Sequence, residues 1–300
     1  MTSGIELPPS SLPLSEGVCK ISPSVLFPGL GSFDQKNTDS IITYAQEVMR
    51  LRFTEEDVYS EMIEAGMQLA TEAHYGKSRR ISGLPYVLHP FATAIAVLSV
   101  SQSQPVICAA LCHDVYEDSP RDEKGNKIYT LDVITQRLPF GENGENTVSL
   151  IESVSSNATY DKTREKPGTP REYRLWQNNK FAAIQKAVEH SPEAILVKTA
   201  DFLSNICDFI EDYMREGDQA FISFGRSKED VLERYTDGIL QLSGGSIDNF
   251  GFVNTLMKDV IIKQIELLEL CKNHELKYTY AGWRKLLDRE LRQLRYENTH

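Results

Sequence analysis

The sequence predicts an all-α protein. Apolar residues recur at three- and four-residue spacing from about residue 40 to the end, acidic residues cluster in the early turns of those segments, and no segment reads as a strand. Pattern alone gives roughly ten helices and no internal repeat.

Residues 1–40 are rich in Pro, Ser and Gly ("ELPPSSLPLSEG", "SPSVLFPGLGSF") and carry no period, so an irregular N-terminal tail is expected there. Its apolar positions Val25, Leu26, Phe27, Leu30 and Phe33 are candidates for pinning it to the body. "DSIITYAQEVMRLRF" and "TEEDVYSEMIEAGMQLATEAHYG" follow with helical periodicity, and then Gly83 and Pro85 break "KSRRISGLPYVLHP", the densest basic cluster up to that point. Helix resumes at "HPFATAIAVLSV", where Pro90 suits a first turn and places His89 at or near the cap. "SQPVICAALCHDVYED" is the next apolar helix. The polar excursion "SPRDEKGNKIY" leads to the short helix "TLDVITQRL" and to a Gly/Asn-rich loop, "PFGENGENT". Residues 147–156 and 171–190 read as helices around the loop "NATYDKTREKPGTP". "PEAILVKTADFLSNICDFIEDYM" is strongly amphipathic, and Ser227 suits the cap of "SKEDVLERYTDGILQLS". "FVNTLMKDVIIKQIELLELCKN" and "AGWRKLLDRELRQLRYE" close the chain. The stripe Trp283, Leu286, Leu287, Leu291, Leu294 is expected to pack on the chain's own core.

A length of 300 residues, 41% hydrophobic and 25% charged, is ample for a core. The start lacks the basic and apolar regions of a signal peptide, and no window approaches a membrane span, so a cytoplasmic location is expected, with no membrane partner. Five cysteines without a CxxC pair argue against a disulfide framework or a zinc ribbon. A net charge of −11 disfavours binding to a nucleic-acid polymer, while leaving room for a small anionic substrate where basic residues gather. The pattern does not address oligomeric state.

The segment "AALCHDVYEDSP" places His113, Asp114, Glu117 and Asp118 within six positions of an otherwise apolar helix. Glu117 lies four after His113 and three after Asp114, and Asp118 four after Asp114, so these groups share a face. By itself this reads equally well as a solvated helix end. With His89 and with Asp201, which lies inside the apolar pattern of another helix, it forms a mixed nitrogen and oxygen set suited to a manganese- or iron-type divalent ion.

In order and spacing, "AHYGKSRRISGLPYVLHP", "AALCHDVYEDS" and "VKTADFLSN" resemble the three hallmark segments of the HD-domain hydrolases of the RelA/SpoT family and its stand-alone small alarmone hydrolases. The resemblance covers about residues 44–245. It implies an HD-domain helical bundle with extra C-terminal helices, divided as a tail (1–40), a metal-dependent phosphohydrolase domain (41–245) and a helical extension (246–300). It further implies His89, His113, Asp114 and Asp201 as ligands of Mn²⁺, and Glu117 and Asp118 as the acidic pair that handles the attacking water. Arg80, Ser82, Lys162, Asn205 and Tyr235 match substrate-contact positions, and the substrate implied is a small alarmone nucleotide. Mutual repulsion is expected to raise the pKa of one member of the acidic pair. His74 also matches a family position, and its expected role is structural. Lys77, Arg79, Arg80, Lys162, Arg164 and Lys166 are candidates for a local positive field.

The chain departs from the family pattern at Tyr116, Ile81, Phe202 and Cys207; the last three stand where the family usually has basic residues. This leaves the ligand set intact and thins the basic one. Three readings follow: a 3′-pyrophosphohydrolase of guanosine or adenosine alarmones, an HD phosphohydrolase of another nucleotide such as the 2′-phosphate of NADPH, and a non-catalytic nucleotide- or partner-binding module. Residues 121–127 are a candidate lid over substrate.

Overall fold

In a computed structural model, residues 21–33, 37–139, 141–156, 170–222, 227–246, 251–272 and 277–296 are described, and among them there are thirteen α-helices and no strand. The helices are α1 (Pro23–Leu26), α2 (Thr38–Glu55), α3 (Glu61–Ala73), α4 (Leu88–Leu98), α5 (Gln104–Glu117), α6 (Leu131–Arg137), α7 (Glu142–Val154), α8 (Pro170–His190), α9 (Pro192–Glu216), α10 (Gln219–Ile222), α11 (Lys228–Ser246), α12 (Gly251–Leu270) and α13 (Lys277–Tyr296). A 3-10 turn, Pro28–Ser32, follows α1. None of the described helices is long and apolar enough to cross a membrane.

Helix α9 is the axis of the bundle, packing against α4, α5, α7, α8, α11 and α12. Its start is fixed by Ser191, whose hydroxyl accepts from the Ala194 N–H at 3.2 Å, followed by Pro192 and Glu193 in the first turn. It ends at Gly217, whose φ of 58° a side chain would disfavour. All eleven residues of α4 are buried, as is most of α5, as expected for helices apolar on every side. Where α3 crosses α5, Gly66 allows close approach: a Cβ there would lie 2.8 Å from Cys108 Sγ. Arg50 of α2 grips Glu64 of α3 through two hydrogen bonds of 3.0 and 2.8 Å.

One continuous core runs from Ile21 and Phe27 to Leu287 and Leu294. The expected irregular stretch through residue 40 is corrected in two places: α1 forms at Pro23–Leu26, and α2 already begins at Thr38, where Asn37 accepts from the Ser40 N–H. Phe27, fully buried, pins this region as the apolar pattern suggested. The break between α2 and α3 falls at residues 56–60, where Asp57 adopts a φ of 56°. "GENGENT", expected as a loop, supplies the first turns of α7; Gly144 fits because a Cβ there would sit 2.3 Å from the Pro139 carbonyl. Of the C-terminal stripe, Leu287 and Leu294 are buried against the chain's own helices, while Leu286 is exposed. Cys108, Cys112, Cys207 and Cys271 are buried free thiols; Cys19 lies outside the described residues.

The α3–α5 crossing yields a stability test. Gly66→Ala should lower stability by about 1–3 kcal/mol through overpacking, and Gly66→Ala/Cys108→Ala should recover most of that loss in a denaturant melt. A double mutant as unstable as the single would remove the steric explanation.

Candidate active site

Three helices deliver four ionisable side chains to one buried point. His89 is the second residue of α4, His113 and Asp114 lie in the last turns of α5, and Asp201 sits midway along α9. His89 Nε2 is 3.3 Å from Asp201 Oδ1 and 3.7 Å from Asp114 Oδ2; His113 Nε2 is 3.3 Å from Asp114 Oδ2 and 3.6 Å from Asp201 Oδ1. Donor atoms of His89, His113 and Asp201 all lie within 4.8 Å of one another.

The orientation of each group has an identifiable cause. His113 Nδ1 lies 2.8 Å from the Ala110 carbonyl, which only accepts, so Nδ1 carries the proton and Nε2 faces the carboxylates. His89 Nδ1 lies 2.9 Å from Ser204 Oγ on α9. Tyr86 donates to Asp114 Oδ2 at 2.6 Å, Lys198 to Asp201 Oδ2 at 2.9 Å, and Asn205 to Asp201 Oδ1 at 2.6 Å. Lys198, Asp201, Asn205 and Asp208 therefore form a polar stripe at helical spacing on α9, and Arg79 pairs with Asp208 at its end.

Burial alone would lower the pKa of His113, but Asp114 and Asp201 overcome it and hold His113 up at about 10. Burial would raise both aspartates. For Asp114 the His113 imidazolium, and for Asp201 the Lys198 ammonium, instead keep the carboxyls well below their usual range. His89 is pushed down by burial. These groups fit a divalent cation: His113 Nε2 is buried without a hydrogen-bond partner, and it converges with His89 Nε2 on two ionised carboxylates.

Beside this centre lies a cleft of about 150 Å³, lined in part by Asp114, Glu117, Asp118, Lys180, Lys198 and Asp201. Glu117 uses both oxygens: Oε1 accepts from Lys180 Nζ at 2.6 Å, and Oε2 from the Ser156 N–H at 3.0 Å. Two donors thus meet the Glu117 carboxylate. Asp118 ends α5, its N–H bonded to the Asp114 carbonyl and its own carbonyl accepting from Lys77 Nζ at 2.7 Å.

Asn205 and Tyr235 also line the cleft, as the sequence led one to expect. Arg80 and Ser82 do not: Arg80 is exposed, and Ser82 Oγ accepts from the Leu84 N–H within its own turn, where Gly83 has a φ of 68°. Arg79 is the loop cation that turns inward, reaching Asp208, Asn205 at 3.4 Å and the Tyr86 ring at 5.6 Å. Lys162, Arg164 and Lys166 fall outside the described residues. His74 is buried against the Tyr86 ring at 4.9 Å and held down at about 3 by burial, in keeping with a structural role. Tyr116 is not among the cleft's lining residues; Lys127 lies 3.9 Å over its ring and donates to its carbonyl. The 121–127 excursion is a tight turn closed by the Arg121–Lys127 bridge and by Asp122, which accepts from the Lys124 and Asn126 N–H groups. Lys180 and Arg234 were not foreseen; both belong to helices whose pattern carried no motif.

An all-α bundle that gathers His89, His113–Asp114 and Asp201 from three helices has the arrangement expected of an HD-domain protein. No family model matches the chain. It is 26% identical over 148 residues to a guanosine-3′,5′-bis(diphosphate) 3′-pyrophosphohydrolase of Aquifex aeolicus, covering 49% of this chain and 18% of that protein. It is 30% identical over 138 residues to the bifunctional (p)ppGpp synthase/hydrolase SpoT of Escherichia coli K12, covering 46% of this chain and 16% of that one. A solved structure of a metazoan SpoT ortholog that hydrolyses ppGpp covers 78% of this chain and 96% of its own, at 20% identity and a TM-score of 0.41. Over about half its length the chain is similar to SpoT-type hydrolases, and it spans less than a fifth of these two curated relatives.

Protonation and metal binding compete at His113. Its pKa in the fold, about 10, lies above the ordinary 6.5, so its contribution to the stability of the metal-free protein is complete below pH 6.5 and is lost as pH rises through 10. Binding a divalent ion at pH 8 should therefore release about one proton, measurable by calorimetry in buffers of different ionisation enthalpy; zero release would contradict the assignment. Ser204→Ala, which frees the His89 ring, should weaken metal binding by about 10–100-fold in a direct titration with little change in fold by circular dichroism.

Proposed function

We propose that this chain is a Mn²⁺-dependent hydrolase that removes the 3′-pyrophosphate of guanosine, or adenosine, tetra- and pentaphosphate alarmones, releasing pyrophosphate and the 5′-nucleotide. The observation that carries this reading is that the His89, His113, Asp114, Asp201 centre adjoins a cleft lined by Asp114, Asp201 and the acidic pair Glu117 and Asp118. Relatives named for that activity support it. In this reading residues 41–245 form the catalytic unit and 246–300 a helical extension, acting in the cytoplasm on a small nucleotide.

When bound, the ion supplies Lewis acidity toward a phosphoryl oxygen and lowers the pKa of water. The protein's own side chains do the rest. His89, His113, Asp114 and Asp201 hold the ion, each fixed by a partner on the neighbouring backbone or helix. Glu117, held as a carboxylate by Lys180 and the Ser156 N–H, orients the attacking water, and the pair Glu117 and Asp118 takes up its proton. Water adds to the phosphorus attached to the ribose 3′ oxygen, the bond between them breaks, and the 3′ oxygen acquires a proton. Asn205 and Tyr235 contact the nucleotide where they line the cleft.

A second reading keeps the site and changes the substrate. Phe202 and Cys207 are buried and Ile81 packs against the core, so three positions usually basic in the family supply no charge. That favours testing a less highly phosphorylated substrate, such as the 2′-phosphate of NADPH, alongside the alarmones. With Mn²⁺ and ppGpp, ppApp or NADPH in parallel, the wild type should turn over an alarmone, and His113→Ala/Asp114→Ala should lose at least about 10²-fold in rate. Equal phosphate or pyrophosphate release from both proteins would sink the hydrolase reading and leave a binding module.

A further inference from the structure

We infer that the phosphate chain of the substrate is held by Lys180 of α8 and Arg234 of α11, the cationic wall of the cleft outside the metal centre. This rests on the hydrolase reading and specifies where that substrate's charge is met.

Among the described residues, the cations expected from the sequence, Lys77, Arg79 and Arg80, do not line the cleft. Arg80 is exposed on its loop, Arg79 is committed to Asp208, and positions 81, 202 and 207 are apolar and packed. Among the described residues the cleft-lining cations are Lys180, Lys198 and Arg234. Lys198 is bound to Asp201 on its own helix and serves the metal centre. The other two, on α8 and α11, line the cleft outside the metal centre. Lys180 Nζ pairs with Glu117 Oε1 at 2.6 Å, beside the acidic pair, and Arg234 lies over the ring of Tyr235, another residue of the cleft lining, at 5.3 Å.

Charge makes the same point. Four carboxylates and three cations line the cleft, so a divalent ion turns its formal charge from negative to positive. An anion then has a net attraction to the site, and the two cations outside the metal centre are where it gains most. The guanidinium fork suits bidentate contact with a phosphate, while Lys180 acts as a point charge near the acidic pair. Phe181, Ile184 and Phe202 line the remaining wall, leaving an apolar surface for the nucleoside.

The test is calorimetric titration of inorganic pyrophosphate into the Mn²⁺-loaded full chain, with KM for ppGpp measured beside it. Arg234→Met and Lys180→Met should each weaken pyrophosphate binding about tenfold, the loss of one charge-assisted hydrogen bond, and Arg234→Met should raise KM in proportion. Arg215→Met, at an exposed α9 cation away from the cleft, should bind as wild type. Arg234 is partly exposed, so its variant tests the wall even if Lys180→Met fails to fold. Wild-type pyrophosphate affinity in Arg234→Met, or no binding by the wild type, overturns the wall. Weakened binding in a protein that turns over no alarmone supports the wall and removes the hydrolase reading; ppGpp turnover with unchanged KM and pyrophosphate affinity in Arg234→Met does the reverse.

Discussion

Two carboxylates must remain ionised inside a helical core, and most of this fold serves that requirement. Asp201 sits on a face of α9 whose neighbours from Ala194 to Ile210 are almost all buried. An uncompensated charge there would cost several kcal/mol. It is met by Lys198 one turn before, Asn205 one turn after, and the two imidazoles arriving from α4 and α5. The same helix supplies Ser204 to His89 and Asp208 to Arg79, so α9 both fills the core and wires its polar centre. The fully buried α4 carries His89, and α5, which α3 crosses closely at Gly66, carries His113.

This arrangement makes the centre electrostatically incomplete by design of its donors. Asp114 and Asp201 raise the pKa of His113 to about 10, which favours its protonated form between them. A divalent ion replaces that proton with twice the charge at the same point. Metal binding and the stability of the bundle are therefore linked, because the groups that bind the ion also join α4, α5 and α9.

The residues that converge at the buried centre were legible in the sequence because each falls in a short segment of fixed spacing, and because His113 and Asp114 interrupt an otherwise apolar helix. What orients them was not. Ser204 and His89 are 115 positions apart, and Lys180 and Glu117 are 63 apart; such contacts exist only once the helices have packed. The inward turn of Arg79 in place of Arg80 depends on the loop conformation set around Gly83, which residue type alone does not specify. Tyr116 drew attention as an anomaly within the signature, yet its ring is occupied by Lys127 from the following turn. Glycine and asparagine in "GENGENT" suggested a loop, but α7 begins at Glu142, where the missing side chain of Gly144 allows close approach to the nearby Pro139 carbonyl.

The central claim is that this buried centre binds a metal ion rather than forming a closed set of internal ion pairs. Diffraction from crystals grown with Mn²⁺, recorded at the manganese absorption edge, tests it most directly. The account predicts one anomalous peak per chain within about 2.0–2.3 Å of His89 Nε2, His113 Nε2 and oxygens of Asp114 and Asp201. An empty centre at saturating Mn²⁺, with His113 Nε2 hydrogen-bonded to a carboxylate, would contradict it.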